Sequence, residues 1–248
     1  MNKRIKFGLL GKNISYSFSR KYFTEKFQKL GLKSYKYYNF DIPEVEEFPF
    51  VLYHKEHEFR GLNVTIPYKE SVIKYLNKIE SNAKEIGAVN TIKITDENKL
   101  IGYNTDIYGF QKSIEPLLKT HHKKALILGT GGASKAVAYA LKMMKIEYKF
   151  VSRKLAENRF LYTQLNEDIL KEYTIIINCT PIGTHPNIDD TPKIPYHYLS
   201  SNHLLYDLIY NPAKTKFLNE GEKKGAVIKN GLEMLELQAE KSWEIWNS

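Results

Sequence analysis

Short apolar runs alternate with amphipathic stretches along this chain. "IKFGLLG" (Ile5 to Gly11) reads as a strand, Tyr22, Phe23, Phe27 and Leu30 share one side of a helix, and "YKYYNF" (Tyr35 to Phe40) reads as a second strand. "LNVTI" runs into Pro67, a helical stretch follows from Glu70 to Leu76, and a hairpin-like pair, "AVNTIKI" and "LIGYN", is joined by the turn "TDENK". This α/β pattern ends near Asp106. "NTDIYGFQKSIEPLL" then reads as a helix leading away, capped by Thr105 or Asp106, and the polar "KTHHKK" (Lys119 to Lys124) resets the pattern, so a domain boundary fits here.

The second pattern is sharper. "ALILG", "YKFVS", "TIIIN" and "LLYDLI" are nearly continuous apolar runs, as in a parallel sheet covered on both faces. Between the first two, Ala133, Ala136, Val137, Ala140, Leu141 and Met144 keep the spacing of a buried helix face, which makes a βαβ unit. The last helix, Gly231 to about Asn247, carries Leu232, Leu235, Ala239, Trp243 and Trp246 on one side and needs a surface to cover. No repeat or low-complexity segment interrupts the chain, and two α/β lobes with a cleft between them is the economical architecture.

At 248 residues and 42% hydrophobic, the chain can build one large core or two modest ones. Its net charge of +9 is scattered rather than gathered in one run, which argues against a nucleic-acid partner. A diffuse positive field favours an anionic small molecule, although a surface tuned for solubility explains most of these charges equally well. The single cysteine, Cys179, has no intrachain partner and suits a reducing compartment, and no segment approaches the roughly 20 apolar residues of a membrane span. The expectation is a cytoplasmic protein with no membrane partner.

"ALILGTGGASKAVAYAL" places Gly129, Gly131 and Gly132 directly after a strand and before a helix, where a pyrophosphate would meet unpaired helix N–H groups. Ser134 takes the third position of the usual G-x-G-x-x-G, so a tight turn with close helix packing competes with nucleotide binding. The next strand ends in Ser152, Arg153 and Lys154, where an NAD-binding protein would place an acidic residue. A hydroxyl and two cations would hold a 2′-phosphate instead and favour NADP(H), with ordinary surface cations as the alternative. "IIINCTPIG" is a further strand ending in a polar turn, readable as a ligand edge or as a turn and nothing more.

Reducing a ketone with a hydride needs a proton donor and a group to orient it. Lys69 in "TIPYK" and Asp106 in "YNTDIYG" each sit at an element boundary, where a solvated lysine and a simple helix cap are the ordinary readings. Their company changes the odds: Asn63, Thr65, Asn90, Thr91, Asn104 and Thr105 are polar residues within or ending apolar strands, where packing alone would prefer Val or Ile.

"NVTIPYK", "GAVNT", "NTD", "GTGGASKA", "VSR", "YDLIYNPAKT" and "NGLEMLELQA" occur in the order and approximate spacing of the shikimate dehydrogenase family, and the resemblance covers nearly the whole chain. It implies an N-terminal substrate-binding domain over 1–106, completed by the C-terminal helix 231–248, and a Rossmann-type NADP-binding domain over 107–230. It further implies NADPH-dependent reduction of 3-dehydroshikimate to shikimate, by a monomer or homodimer without a metal. On that basis Lys69 is the acid/base residue and Asp106 its carboxylate partner. Ser17 and Ser19 in "SYSFS" would hold the substrate carboxylate, while Thr65, Asn90, Tyr210 and Gln238 reach its ring hydroxyls or carboxylate. The cofactor would meet Gly129, Gly131, Gly132, Ala133, Ser134, Ser152, Arg153 and Lys154, with Gly231 and Met234 near the nicotinamide.

The chain departs from the family in places. The serine motif, commonly S-K-S-P, is Ser17-Phe18-Ser19-Arg20, and Glu157 stands about where a further arginine extends the basic cluster. The chain ends soon after Trp246, which implies that a terminal helix of the family is absent. Two alternatives follow: a quinate/shikimate dehydrogenase with relaxed substrate or NAD use, and a dinucleotide-binding regulator without turnover.

Overall fold

The computed structural model describes residues 5–15, 17–52, 58–154 and 156–248. Tyr16 of the serine motif and residues 1–4 of the basic N-terminus lie outside the described residues. The chain divides into two compact units, Met1–Thr105 with Gln238–Ser248, and Asp106–Leu237.

The first unit opens with β1 (Ile5–Gly11), α1 (Phe18–Lys29) and β2 (Tyr35–Asp41), a parallel βαβ unit running in register from Ile5↔Tyr35 to Gly11↔Asp41. It continues through α2 (Phe48–Leu52), β3 (Glu58–Val64), β4 (Lys78–Ile79), α3 (Ser81–Ile86), β5 (Thr91–Ile94) and β6 (Leu100–Tyr103). These strands form a six-stranded sheet in the order β2-β1-β3-β5-β6-β4. The β3/β5 and β5/β6 pairs are antiparallel, the second being the expected hairpin.

Strand alternation sorts this sheet into two faces. Leu10, Leu62, Val64, Ile92 and Ile94 point to one, where Phe48, Val72, Ala83 and Val89 cover them. Phe7 and Leu9 point to the other and pack with Phe23 and Phe27 of α1, Tyr37, and Ala239 and Trp246 near the C-terminus. A Cβ on Gly61 would overlap the Trp246 ring, so the indole can pack against β3 only because that residue has no side chain.

Several elements differ from the reading of the sequence. The "LNVTI" strand stops at Val64, just ahead of Pro67, which has no N–H to give the ladder. The helix expected from Glu70 to Leu76 is a 3₁₀ turn, Ser71–Tyr75, tightened by Ile73 N to Glu70 O and Leu76 N to Ile73 O bonds. Leu30 is not on the buried face of α1: it caps the helix before Gly31 turns left-handed at φ 68°, and is half exposed.

The second unit contains α4 (Asp106–Ile114), β7 (Lys124–Leu128), α5 (Gly132–Met143), β8 (Glu147–Ser152), β9 (Arg159–Leu161) and α6 (Glu167–Glu172). It continues with β10 (Ile175–Asn178), β11 (Leu204–Asp207), α7 (Lys216–Glu222), β12 (Val227–Lys229) and the start of α8 (Leu232–Asn247). All six strands are parallel, in the order β12-β11-β10-β7-β8-β9. Every residue of β10 and β11 is buried, as a strand covered on both faces requires. The strand order reverses between β7 and β10, the switch point at which such sheets take their ligands.

The buried residues of α8 include Met234, Ala239, Ser242 and Trp246. Leu232, expected on that face, is exposed, because it lies in the first turn, ahead of the stretch that packs on the first sheet. Among the described residues no helix is long and apolar enough to cross a membrane, and no group of three or more His, Cys, Asp or Glu is placed to hold a metal ion.

Candidate active site

On the α8-facing side of the first sheet, β3 and β5 present Asn63 and Thr91 where hydrophobic residues would otherwise pack. Polar groups there must find partners within the protein. Tyr37 donates to Asn63 Oδ1 at 2.8 Å, which turns Asn63 Nδ2 toward Ser242 Oγ at 2.9 Å and Thr91 Oγ1 at 3.2 Å. Ser242 Oγ also lies 2.8 Å from Thr91 Oγ1 and 3.3 Å from Thr105 Oγ1, and donates to Gln238 O at 2.9 Å. Asn90 Oδ1 accepts from Thr105 N at 2.7 Å and Thr105 Oγ1 at 3.2 Å, and lies 3.1 Å from Thr91 Oγ1. A backbone N–H can only donate, so the orientation of the Asn90 amide is fixed and its Nδ2 faces away from this cluster.

Ser17 stands at the capping position of α1 with no side-chain cap bond, and its Oγ is buried without a hydrogen-bond partner among the described residues. A buried hydroxyl left in that state is costly, and an acceptor from a ligand would satisfy it at a helix N-terminus that favours anions. Ser19, two residues on, hydrogen-bonds the buried Tyr37, whose pKa is raised well above the ordinary phenol value by burial, against the Ser19 bond that lowers it. Phe18 stacks on Tyr22 at 5.3 Å. Tyr22 and Lys26 in turn bind Glu240 of α8, Lys26 Nζ at 2.6 Å.

Thr65 follows β3, with its methyl against Gly11, where an added Cβ would meet Thr65 Cγ2 at 2.6 Å. Lys69 is half-buried in the turn beyond Pro67, and its carbonyl accepts from Val89 N at 2.7 Å, which ties its backbone next to Asn90. Asp106 is buried as the first residue of α4, so the capping position falls to Thr105, whose hydroxyl is engaged with Asn90 instead. Lys69 belongs to the first unit and Asp106 opens the second.

In the second unit the glycine turn lies at the switch point. Gly129 has φ 98°, and a Cβ there would meet Thr180 Cγ2 at 2.9 Å, so both conformation and space call for glycine. At Gly131 and Gly132 an added Cβ would meet nothing within 4 Å, and α5 begins there with no side-chain cap. Unfilled room before the N–H groups of a helix N-terminus fits a dinucleotide pyrophosphate. Ala133 is half-buried in the first turn, whereas the Ser134 hydroxyl is spent within it, donating to Gly131 O at 2.6 Å. Ser152 Oγ donates to Lys154 O at 2.5 Å, and Arg153 and Lys154 are exposed at the end of β8.

Gly231 is required for a different reason, since its Cβ would overlap Leu208 O after β11. Met234 is buried, and Tyr210 is half-buried beyond β11. The turn after β10 is held by Asn178, whose Oδ1 accepts from Thr180 N and Oγ1 at 3.0 and 2.6 Å and whose Nδ2 donates to Asp207 Oδ1 at 3.1 Å. Asp207, fully buried, also accepts from Ile209 N and Thr215 Oγ1, and burial pushes its pKa up to about 6. Reasoning from sequence missed both Asp207 and Ser242. The available signals were an aspartate closing an apolar strand and a serine on the apolar side of the last helix.

Residues 9–92 match the family described as the shikimate dehydrogenase substrate binding domain. The chain is 39% identical over 249 residues to the shikimate dehydrogenase (NADP(+)) of Clostridium botulinum strain Hall, covering 96% of this chain and 95% of that protein. It is 40% identical over 256 residues to the shikimate dehydrogenase (NADP(+)) of Methanococcus maripaludis strain S2, covering 96% and 90%. The crystal structure of shikimate 5-dehydrogenase from Thermus thermophilus in complex with NADP(H) and shikimate superposes with a TM-score of 0.85 at 31% identity, covering 98% of this chain and 93% of that one. With that similarity over 96% of its length, the chain belongs to the shikimate dehydrogenase family.

Proposed function

We propose that this protein catalyses the NADPH-dependent, reversible reduction of 3-dehydroshikimate to shikimate. The reading is carried by its 39% identity, over 96% of its length, to a protein named shikimate dehydrogenase (NADP(+)). The Ser17 hydroxyl, partnerless among the described residues at the start of α1, and the open glycine turn before α5 support it locally.

In this proposal Ser17 and Ser19 take the substrate carboxylate at the N-terminus of α1. Asn90 has its carbonyl oxygen committed inside the protein, so it meets a ring hydroxyl as a donor through Nδ2. Thr65, Tyr210 and Gln238 supply further hydroxyl and amide contacts. A site of this kind rejects analogues that leave its buried polar groups unpaired.

Bound NADPH supplies the hydride. Lys69 delivers the proton to the forming alkoxide, with Asp106 as its carboxylate partner, and in the reverse direction Lys69 takes the proton back. Gly129, Gly131, Gly132 and Ala133 admit the pyrophosphate at the start of α5, and Ser134 braces that turn from inside. Arg153 and Lys154 take the 2′-phosphate on a turn that Ser152 holds, and Gly231 and Met234 border the nicotinamide. The same reading takes the protein as a cytoplasmic monomer or homodimer.

The test mixes pure protein with shikimate and NADP+ and follows nicotinamide absorbance, with quinate and NAD+ as parallel arms. Reduction of NADP+ by shikimate is expected. A folded protein that gives no signal with either coenzyme overturns the reading, and equal rates with quinate replace it with a relaxed quinate/shikimate dehydrogenase.

A further inference from the structure

We propose that Ser242, on the C-terminal helix, is a positioning residue for the shikimate site: its hydroxyl oxygen engages the Asn63 amide and the Thr91 hydroxyl and so leaves Asn90 Oδ1 to Thr105. The inference rests on the assignment of Asn90 and Gln238 as shikimate ligands.

Ser242 is fully buried, and its proton is directed along its own helix to Gln238 O at 2.9 Å. Its lone pairs therefore face the sheet, where they accept from Asn63 Nδ2 at 2.9 Å and from Thr91 at 2.8 Å. The direction of the Asn63 bond is not free to reverse, because Tyr37 already donates to Asn63 Oδ1. Thr91 in turn lies 3.1 Å from Asn90 Oδ1, the atom that also receives Thr105 N. One oxygen thus closes a chain from Ser19 and Tyr37 through Asn63 and Thr91 to Asn90, and anchors it one helical turn from Gln238.

Deleting the oxygen leaves the Asn63 amide and the Thr91 hydroxyl to seek other partners. The Asn63 amide keeps Thr91 Oγ1 at 3.2 Å and Asn90 O at 3.4 Å, while the Thr91 proton is released to Asn90 Oδ1 at 3.1 Å, so the disturbance falls on the residue that meets the substrate. None of these groups belongs to the glycine turn or to the Arg153 and Lys154 cations.

The experiment compares wild type and Ser242→Ala in the full chain by steady-state kinetics with shikimate and NADP+, together with thermal unfolding. Losing buried hydrogen bonds that orient a ligand should raise the KM for shikimate by about tenfold. The KM for NADP+ should stay within about twofold, because uniform loss of binding is confined to the substrate whose ligands moved. A lowered melting temperature with both KM values unchanged overturns the inference and leaves Ser242 a structural residue. A wild type inactive with shikimate overturns the assignment of the site itself, a distinguishable outcome. If Ser242→Ala does not fold, Thr91→Val removes the next hydroxyl at nearly constant volume and carries the same expectation and the same refutation.

Discussion

Replacing Asp207 with asparagine should remove from the folding stability a pH dependence that the wild-type protein carries. The carboxyl group is fully buried at the end of β11 and accepts from Asn178 Nδ2 at 3.1 Å, Ile209 N at 3.0 Å and Thr215 Oγ1 at 2.6 Å. Those bonds favour the carboxylate, but burial outweighs them and lifts the pKa from 3.8 to about 6. A gap of roughly two units corresponds to about 3 kcal/mol between the protonation states. The folded chain holds this proton more tightly than the unfolded chain, so wild-type stability from this group rises as pH falls through about 6 toward 3.8. Above about 6 the ionised group is a constant cost.

Asparagine is neutral throughout, keeps an oxygen for Asn178 and Ile209, and turns an amide N–H toward Thr215. The stability of Asp207→Asn minus that of wild type should therefore be larger at pH 7 than at pH 4 by about 2.5 kcal/mol. Taking the difference cancels other titrations, notably those of His122 and His203. Both histidine pKa values are lowered by burial, so their contribution is lost as pH falls below 6.5. Urea unfolding of both proteins across this range reads the difference, and carbon NMR of labelled aspartate should show one carboxyl titrating near 6 that vanishes in the variant. A difference that stays flat with pH, or the absence of such a resonance, refutes the argument.

Lys69→Ala should lower turnover with shikimate by about 10²–10⁴ while calorimetry still detects shikimate binding, and unchanged turnover would remove Lys69 from the mechanism. Arg153→Ala should weaken NADP+ by about 10- to 100-fold and NAD+ far less, the loss of charge-assisted bonds to one phosphate. Equal weakening of the two coenzymes by fluorescence titration would place the guanidinium under the adenine or in the fold.

Parts of the fold were legible because one local rule settled them. β10 and β11 are unbroken apolar runs, and α5 keeps a helical apolar stripe directly behind its glycine turn. β4, β9 and β12 escaped because two or three residues carry no period. Their existence follows from the neighbour that offers them an edge. Leu232 and Leu30 were misassigned to buried faces for a related reason: periodicity defines a stripe, whereas its burial ends where the opposing surface ends.

The candidate site shows the same division between local and distant causes. Asn63 and Thr91 stood out because a polar residue in an apolar strand has to be satisfied by something, but the sequence does not say by what. The partner is Ser242, 179 positions from Asn63 and 151 from Thr91, on a helix whose serine looks ordinary beside its tryptophans. Satisfying two strand residues with one helical hydroxyl requires the helix to sit at a fixed rotation on the sheet. Gly61 and Trp246 supply that rotation on the same face: the missing side chain admits the indole, and Trp246 Nε1 donates to Ile92 O at 3.0 Å. Hydrophobic packing thus sets the helix, the helix places Ser242 and Gln238, and Ser242 engages the Asn63 amide and the Thr91 hydroxyl beside Asn90. On the proposed assignment of Asn90 and Gln238, a change to the aromatic core of the first unit would therefore reach the shikimate site through Ser242.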